Sequence, residues 1–202
     1  MLATLVTIVF GTPVALLMAR RQFPFKRALD TLIDLPTVMP PAVAGVALLL
    51  AFGRRGLLGG AFEAWGISIA FTTVAVVIAQ TFIASPFYIK AAIAGFGGVN
   101  RELQEAAALD GASRWGLFRF LLVPLSWASL ASGAVMTFAR ALGEFGATII
   151  FAGNFPGRTQ TMPLAIYIGF EIQLDVALTL AVILIGFSFA TLIAVKWLVR
   201  HS

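Results

Sequence analysis

The chain has 202 residues, 60% hydrophobic and 11% charged, with a formal net charge of +5 and no cysteine. A soluble domain carries about a quarter of its residues as charges, so this composition excludes a soluble globular protein and makes lipid the solvent. The absence of cysteine excludes disulfide frameworks, thiolate metal sites and cysteine nucleophiles, and cations that follow membrane topology rather than one stripe exclude a nucleic-acid partner.

Five windows contain no Asp, Glu, Lys or Arg: residues 2–19, 35–53, 64–89, 120–139 and 176–195. Each is near the ~20 residues that a helix needs to cross the bilayer core. Backbone polar groups must pair internally in lipid, so these windows predict helices, and none alternates as a barrel strand would. The expected fold is all-α: one polytopic transmembrane domain over residues 1–202, with five to six spans.

The first window lacks a basic leader and a small-residue cleavage site, so it is not a signal peptide. It is short for a span, which predicts that the natural chain starts upstream of Met1; N-terminal sequencing of native protein tests this. Thr4, Thr7, Gly11 and Ala15 form a small-residue stripe suited to helix packing. In the third window Thr73 and Gln80 share a face, and Pro86 is placed to kink the helix end.

Between the third and fourth windows lies the longest charge-rich stretch, Asn100 to Pro124. It carries Arg101, Glu102, Glu105, Asp110, Arg114 and Arg119, with Lys90 just upstream. Asn100 can cap a helix whose first turn holds Glu102, and Leu103, Ala106 and Ala107 fall on one face. Gly111 is free to take positive φ and end that helix. Ser113 can cap a second helix in which Trp115, Phe118 and Leu122 share a face, and Pro124 suits the start of the next span. The spacing predicts a helix–turn–helix over about 98–122 lying flat on the bundle. It reads either as an interfacial loop with solvated charges or as a surface presented to a partner.

In the fourth window Ser126, Ser129, Gly133, Thr137, Arg140 and Glu144 recur at steps of three and four, hence on one helical face. Such a face avoids lipid. It either lines a pathway or packs small residues against a neighbour, with packing the first reading for Ser126, Ser129 and Gly133. Arg140 and Glu144, at i and i+4, can neutralise each other as a structural pair. Residues 141–175 are interrupted by Gly143, Gly146, Gly153, Pro156, Gly157 and Pro163. They read as a helix end, a re-entrant half-helix or an external loop folded back on the bundle.

Lys and Arg bias sets orientation. Placing Arg20, Arg21, Lys26 and Arg27, then Lys90, Arg101, Arg114 and Arg119, then Lys196 and Arg200 inside gives ten cations in, against Arg54, Arg55 and Arg158 out. The charged segment and the C-terminus are then cytoplasmic and the N-terminus is outside. No G-x-x-x-x-G-K-[ST] phosphate loop is present, so ATP is not bound in that way. The only histidine, His201, lies in the tail, which excludes a histidine-based metal site or triad.

Glu105-Ala106-Ala107, three residues, Gly111, nine residues, then Leu121-Leu122-Val123-Pro124 resembles the EAA loop of ABC importer permeases. The family favours Ile and Leu where this chain has Leu121 and Val123. The resemblance covers essentially the whole chain. Leu35-Pro36-Thr37-Val38-Met39-Pro40-Pro41 and Gly143-Glu144-Phe145-Gly146-Ala147-Thr148 look like the molybdate and sulfate branch, and the run Phe151 to Leu164 is most similar to molybdate permeases. What the resemblance implies is a permease subunit that is not itself an enzyme and holds no cofactor or metal. It also implies two cytoplasmic ABC ATPase subunits, an extracytoplasmic oxyanion-binding protein, and a second copy completing a homodimer in a bacterial or archaeal plasma membrane. Glu105, Ala106, Ala107, Gly111, Arg114 and Pro124 would then form or flank the coupling helices that dock on the ATPase. The rivals are a sulfate or thiosulfate permease, and an ATP-independent channel or secondary transporter, which would need a mid-membrane carboxylate that only Glu144 could supply.

Overall fold

The structure is a computed structural model that describes residues 1–200. His201 lies outside the described residues. The chain is helical from end to end, in the order α1 (Leu2–Arg20), α2 (Lys26–Val38), α3 (Pro41–Phe52), α4 (Gly59–Ala64), α5 (Thr73–Gly98), α6 (Arg101–Leu109) and α7 (Arg114–Leu117). A five-residue π-turn, Phe118–Leu122, leads into α8 (Val123–Leu125), followed by α9 (Trp127–Leu142), α10 (Gly146–Phe151), α11 (Met162–Ile172) and α12 (Leu174–Arg200).

Among the described residues, α1, α5 and α12 are each long and apolar enough to span a membrane alone. The other windows break, and proline accounts for two of the breaks. In the window 35–53, Pro40 and Pro41 remove two amide donors, so α2 ends at Val38 and α3 restarts at Pro41. In the window 120–139, Pro124 cannot donate to the preceding turn, and Val123 N–H reaches back to the carbonyl of Phe118 instead. The helices before and after this site meet at a 74° bend, and α9 runs on to Leu142. The third span starts at Thr73, not near residue 64: Ser68 and Ile69 are irregular, and Ala70 and Phe71 make a turn in which Phe71 takes φ +60° and donates its N–H to the carbonyl of Phe151 (3.1 Å).

The 26 residues of α5, about 39 Å long, form the axis of the packing. α1 runs parallel to it: Thr81 lies beside the Ala3 carbonyl, the Thr12 and Tyr88 hydroxyls are 2.7 Å apart, and Arg20 donates to the carbonyl of Phe96. α9 runs antiparallel, with Thr137 bonded to the carbonyl of Ala84 (3.2 Å) and Ser129 beside Gly95. α2 and α3 also run antiparallel to α5, and each shares one of its two cores. At the hairpin end, Ile33, Tyr88, Ile89, Phe96, Leu122 and Leu130 bury together with Ala15 and Met18. At the opposite end, Ala44, Leu48, Ala75, Ala79, Ile83, Ala147 and Phe151 form the second core. The interrupted stretch 141–175 is thus two short helices. α10 is inserted into the second core, and α11, of 11 residues and about 16 Å, is too short to cross.

Candidate functional site

The caps and the turn of the charged segment form where the spacing predicts them, but the expected face of Leu103, Ala106 and Ala107 is not seated on the bundle, because Leu103 and Ala106 are exposed and α6 buries no residue. Asn100 Oδ1 accepts from Glu102 N–H (2.9 Å), and Gln104 Nε2 donates to the carbonyls of Val99 (3.2 Å) and Asn100 (3.1 Å). These bonds pin the start of α6 to the end of α5. α6 stops because Gly111 takes φ +88°. Its N–H donates to the carbonyl of Ala108 (3.1 Å) and that of Ala112 to Ala107 (3.0 Å), the paired bonds of a Schellman cap. Ser113 Oγ then accepts from Gly116 N–H (3.1 Å) and starts α7. The result is a rigid hairpin built wholly from local bonds.

Aromatic stacking seats the hairpin on the bundle. Phe118 lies 6.2 Å from Phe96 and 5.4 Å from Trp115, ring centre to ring centre. Leu122 is buried beneath it, while Pro124 is exposed at the second position of α8. Phe118 and Leu122 face the core, but Trp115, sharing their face, stays 66% exposed. No residue of α6 is buried. Glu105, Ala106 and Arg114 are exposed, and Ala107 is half-buried. Leu109 (89% exposed) and Phe120 (74%) are, like Trp115, bare apolar side chains on a segment that also carries exposed charge. Burying a Leu, Trp or Phe is worth about 1.5–3 kcal/mol each, so this segment gains by acquiring a partner.

Behind the hairpin, the polar face of α9 meets α5 along a seam of small residues. A Cβ on Gly133 would stand 2.7 Å from Ala91 Cβ, and one on Gly95 would stand 2.8 Å from Ser129 Cβ and 3.2 Å from Ser126 Cβ. These gaps admit hydrogen only, so Ser126, Ser129 and Gly133 serve close helix approach. Ser126 is 2% exposed and its hydroxyl has no partner among the described residues. Thr137 is fully buried on the Ala84 carbonyl.

At the far end of the seam Arg140 Nη1 lies 2.7 Å from Glu144 Oε2. Glu144 is 1% exposed, and its other oxygen accepts from Ala147 N–H (2.8 Å), capping α10. Both carboxylate oxygens are therefore engaged, and the guanidinium is committed to one of them. The pair joins α9 to α10, while Gly146 lets α10 approach Pro41 of α3, where a Cβ would meet Pro41 Cβ at 2.9 Å. The seam and the hairpin are contiguous in sequence but distinct in kind: one is buried glue, the other an open surface.

One charged cluster escaped sequence reasoning. Lys90 is not a loop cation: it lies within α5 and donates to Asp30 Oδ1 (2.7 Å) and Asp34 Oδ2 (2.8 Å) on α2. The readable signal was Asp30 and Asp34 at i, i+4 on an amphipathic stretch, waiting for a cation. Among the described residues no group of His, Cys, Asp or Glu is arranged to hold a metal.

Comparison with known proteins adds the following. The family described as "Binding-protein-dependent transport system inner membrane component" matches residues 11–201. A putative molybdenum transport system permease protein of Bacillus subtilis (strain 168) is 44% identical over 171 residues, covering 84% of this chain and 75% of that protein. The molybdenum transport system permease protein ModB of Escherichia coli (strain K12) is 39% identical over 204 residues, covering 100% of this chain and 89% of that one. Among solved structures, the inward-facing MetNI methionine ABC transporter superposes with a TM-score of 0.69 at 20% identity, covering 98% of this chain and 90% of that chain, which shows a shared fold.

Proposed function

This chain belongs to the family of binding-protein-dependent transport inner-membrane components, and from that premise we propose that it is the transmembrane subunit of an ATP-driven importer for molybdate or tungstate. The observation that carries the reading is the hairpin: a rigid, locally bonded helix pair that leaves charge and apolar side chains uncovered at one end of an oily bundle. Its partner is a cytoplasmic ABC ATPase. Glu105 and Arg114 supply charge at the contact, Ala106 and Ala107 permit close approach, and Gly111 sets the angle between the helices. That end of the bundle is cytoplasmic, which puts the N-terminus outside and the C-terminus inside.

One such chain is half a pathway, and a second copy related by two-fold symmetry closes it. ATP draws the paired ATPases together and the hairpins move with them. Phe118 and Phe96 carry the displacement into α5, and the small-residue seam keeps α9 moving with α5. An extracytoplasmic binding protein supplies the anion to the opposite end. The engaged state of Glu144 supports ATP drive over ion coupling, because that carboxylate has no free oxygen for a driving ion.

Reconstitution with the ATPase and the binding protein tests the reading. Uptake of labelled molybdate should require ATP and survive equimolar sulfate. Uptake without ATP would overturn the importer assignment, and equal competition by sulfate would move the substrate to the sulfate branch.

A further inference from the structure

At the end of the bundle away from the hairpin, a cleft of about 380 Å³ opens between the end of α3, the approach to α5 and the loop after α10. Its lining includes Arg54 and Arg158, Ser68 and Thr72, with Phe71 on its wall. We propose that this cleft is a transient receiving site for a tetrahedral oxyanion, held by the guanidinium groups of Arg54 and Arg158 and by the hydroxyl of Ser68. The proposal rests on the importer reading above and adds to it the place where the anion first meets this chain.

The two arginines are about a hundred residues apart, yet the backbone at each is held by hydrogen bonds. Arg54 lies within a closed turn in which Gly53 N–H donates to Leu49 (2.7 Å), Gly56 N–H to Gly53 (2.8 Å) and Leu57 N–H to Leu50 (2.9 Å). Arg158 sits in a loop with two left-handed glycines, Gly153 and Gly157. Its own N–H donates to the carbonyl of Phe155 (3.0 Å), and its carbonyl accepts from Thr73 Oγ1 (3.0 Å). That last bond ties the loop to the first turn of α5. Thr72 caps this 26-residue helix, accepting from Ala75 N–H (3.3 Å) and donating to Ile69 (2.6 Å), so the positive end of the helix faces the same cleft.

Fixed positions matter because two like charges do not gather without a reason. Arg54 has one acidic neighbour, Glu63, 3.6 Å from its Nε. Their side chains are 78% and 58% exposed, so the pair is weak in water and leaves the terminal nitrogens of Arg54 free to bind. Glu63 does not line this cleft, and neither does any other carboxylate. Guanidinium forks match the paired oxygens of a tetrahedral oxyanion, and the Ser68 hydroxyl adds a donor without charge. The site is open to water, so it binds weakly, as a stop on a transport route must.

The test uses the complete complex of permease, ATPase and binding protein in proteoliposomes. Initial uptake of labelled molybdate is followed as the concentration of loaded binding protein is raised. Arg54→Gln combined with Arg158→Gln should lower the maximal rate about tenfold, with the half-saturating concentration of binding protein unchanged. Arg55→Gln, on the same turn but outside the cleft lining, should transport as wild type, and Arg54→Lys with Arg158→Lys should recover part of the rate. Recovery of the double glutamine variant at high binding-protein concentration would overturn the proposal, since the arginines would then be docking the acidic face of a protein. Unchanged uptake would overturn it as well. No ATP-dependent uptake by the wild-type complex would instead remove the importer reading, and this site with it.

Discussion

Glu105 and Glu144 are the two carboxylates whose surroundings differ most, and the difference decides their roles. Glu105 is exposed on α6. Replacing it with Lys costs the bundle little and reverses the charge offered to a partner. The expected outcome is normal membrane insertion, about a tenfold loss of uptake from one reversed charge, and persisting ATP hydrolysis. Wild-type uptake by Glu105→Lys would remove it from the contact. Glu144 is buried and doubly engaged. Glu144→Leu strands the Arg140 guanidinium and uncaps α10, a loss of about 3–5 kcal/mol. Arg140→Leu added to it should restore much of the thermal midpoint measured in detergent, because the expensive state is the unpaired charge rather than the missing pair. The residue scale is also where sequence reading was strongest. Asn100, Gly111 and Ser113 act within a few bonds of themselves, so residue type and spacing suffice to place a cap, a turn and a second cap.

Elements were harder to read, and for one reason: hydropathy reports which residues avoid water, not where the backbone stays helical. Pro40–Pro41 and Pro124 break two apolar windows that composition alone treats as continuous. The approach to α5 is apolar yet not helical: Phe71 turns at φ +60° and its N–H bonds to the distant Phe151. The Lys90 cluster was illegible for a related reason, since its partners lie 56 and 60 residues away on α2. Two element-scale outcomes follow from these contacts. In Gly111→Val a β-branched residue must adopt φ +88°, at a cost of about 1–2 kcal/mol. The hairpin should open, and binding of the ATPase in a pull-down should weaken about tenfold while the bundle stays folded. In Lys90→Met two carboxylates one turn apart lose their shared cation. α2 should exchange its amides faster by hydrogen exchange, and adding Asp30→Asn and Asp34→Asn should reverse that, whereas no change in α2 would make the cluster incidental.

For the whole molecule the two ends of α5 divide the labour. At one end lies a locally stabilised hairpin, which we propose meets the ATPase; at the other lie loops fixed by glycine turns and long-range bonds, which we propose face the incoming anion. α5 joins two cores, one at each end, as a single helix whose one internal proline is Pro86. The sequence lacks cysteine, so a single introduced thiol reports without background. The most direct measurement places Ala106→Cys in the hairpin and a cysteine in the cleft of the ATPase, in sealed membrane vesicles of known orientation. A disulfide between the two subunits, with a yield that changes on adding ATP, is the predicted result. Labelling of that thiol by an impermeant reagent from the outer face alone, with no bond to the ATPase, would contradict the account.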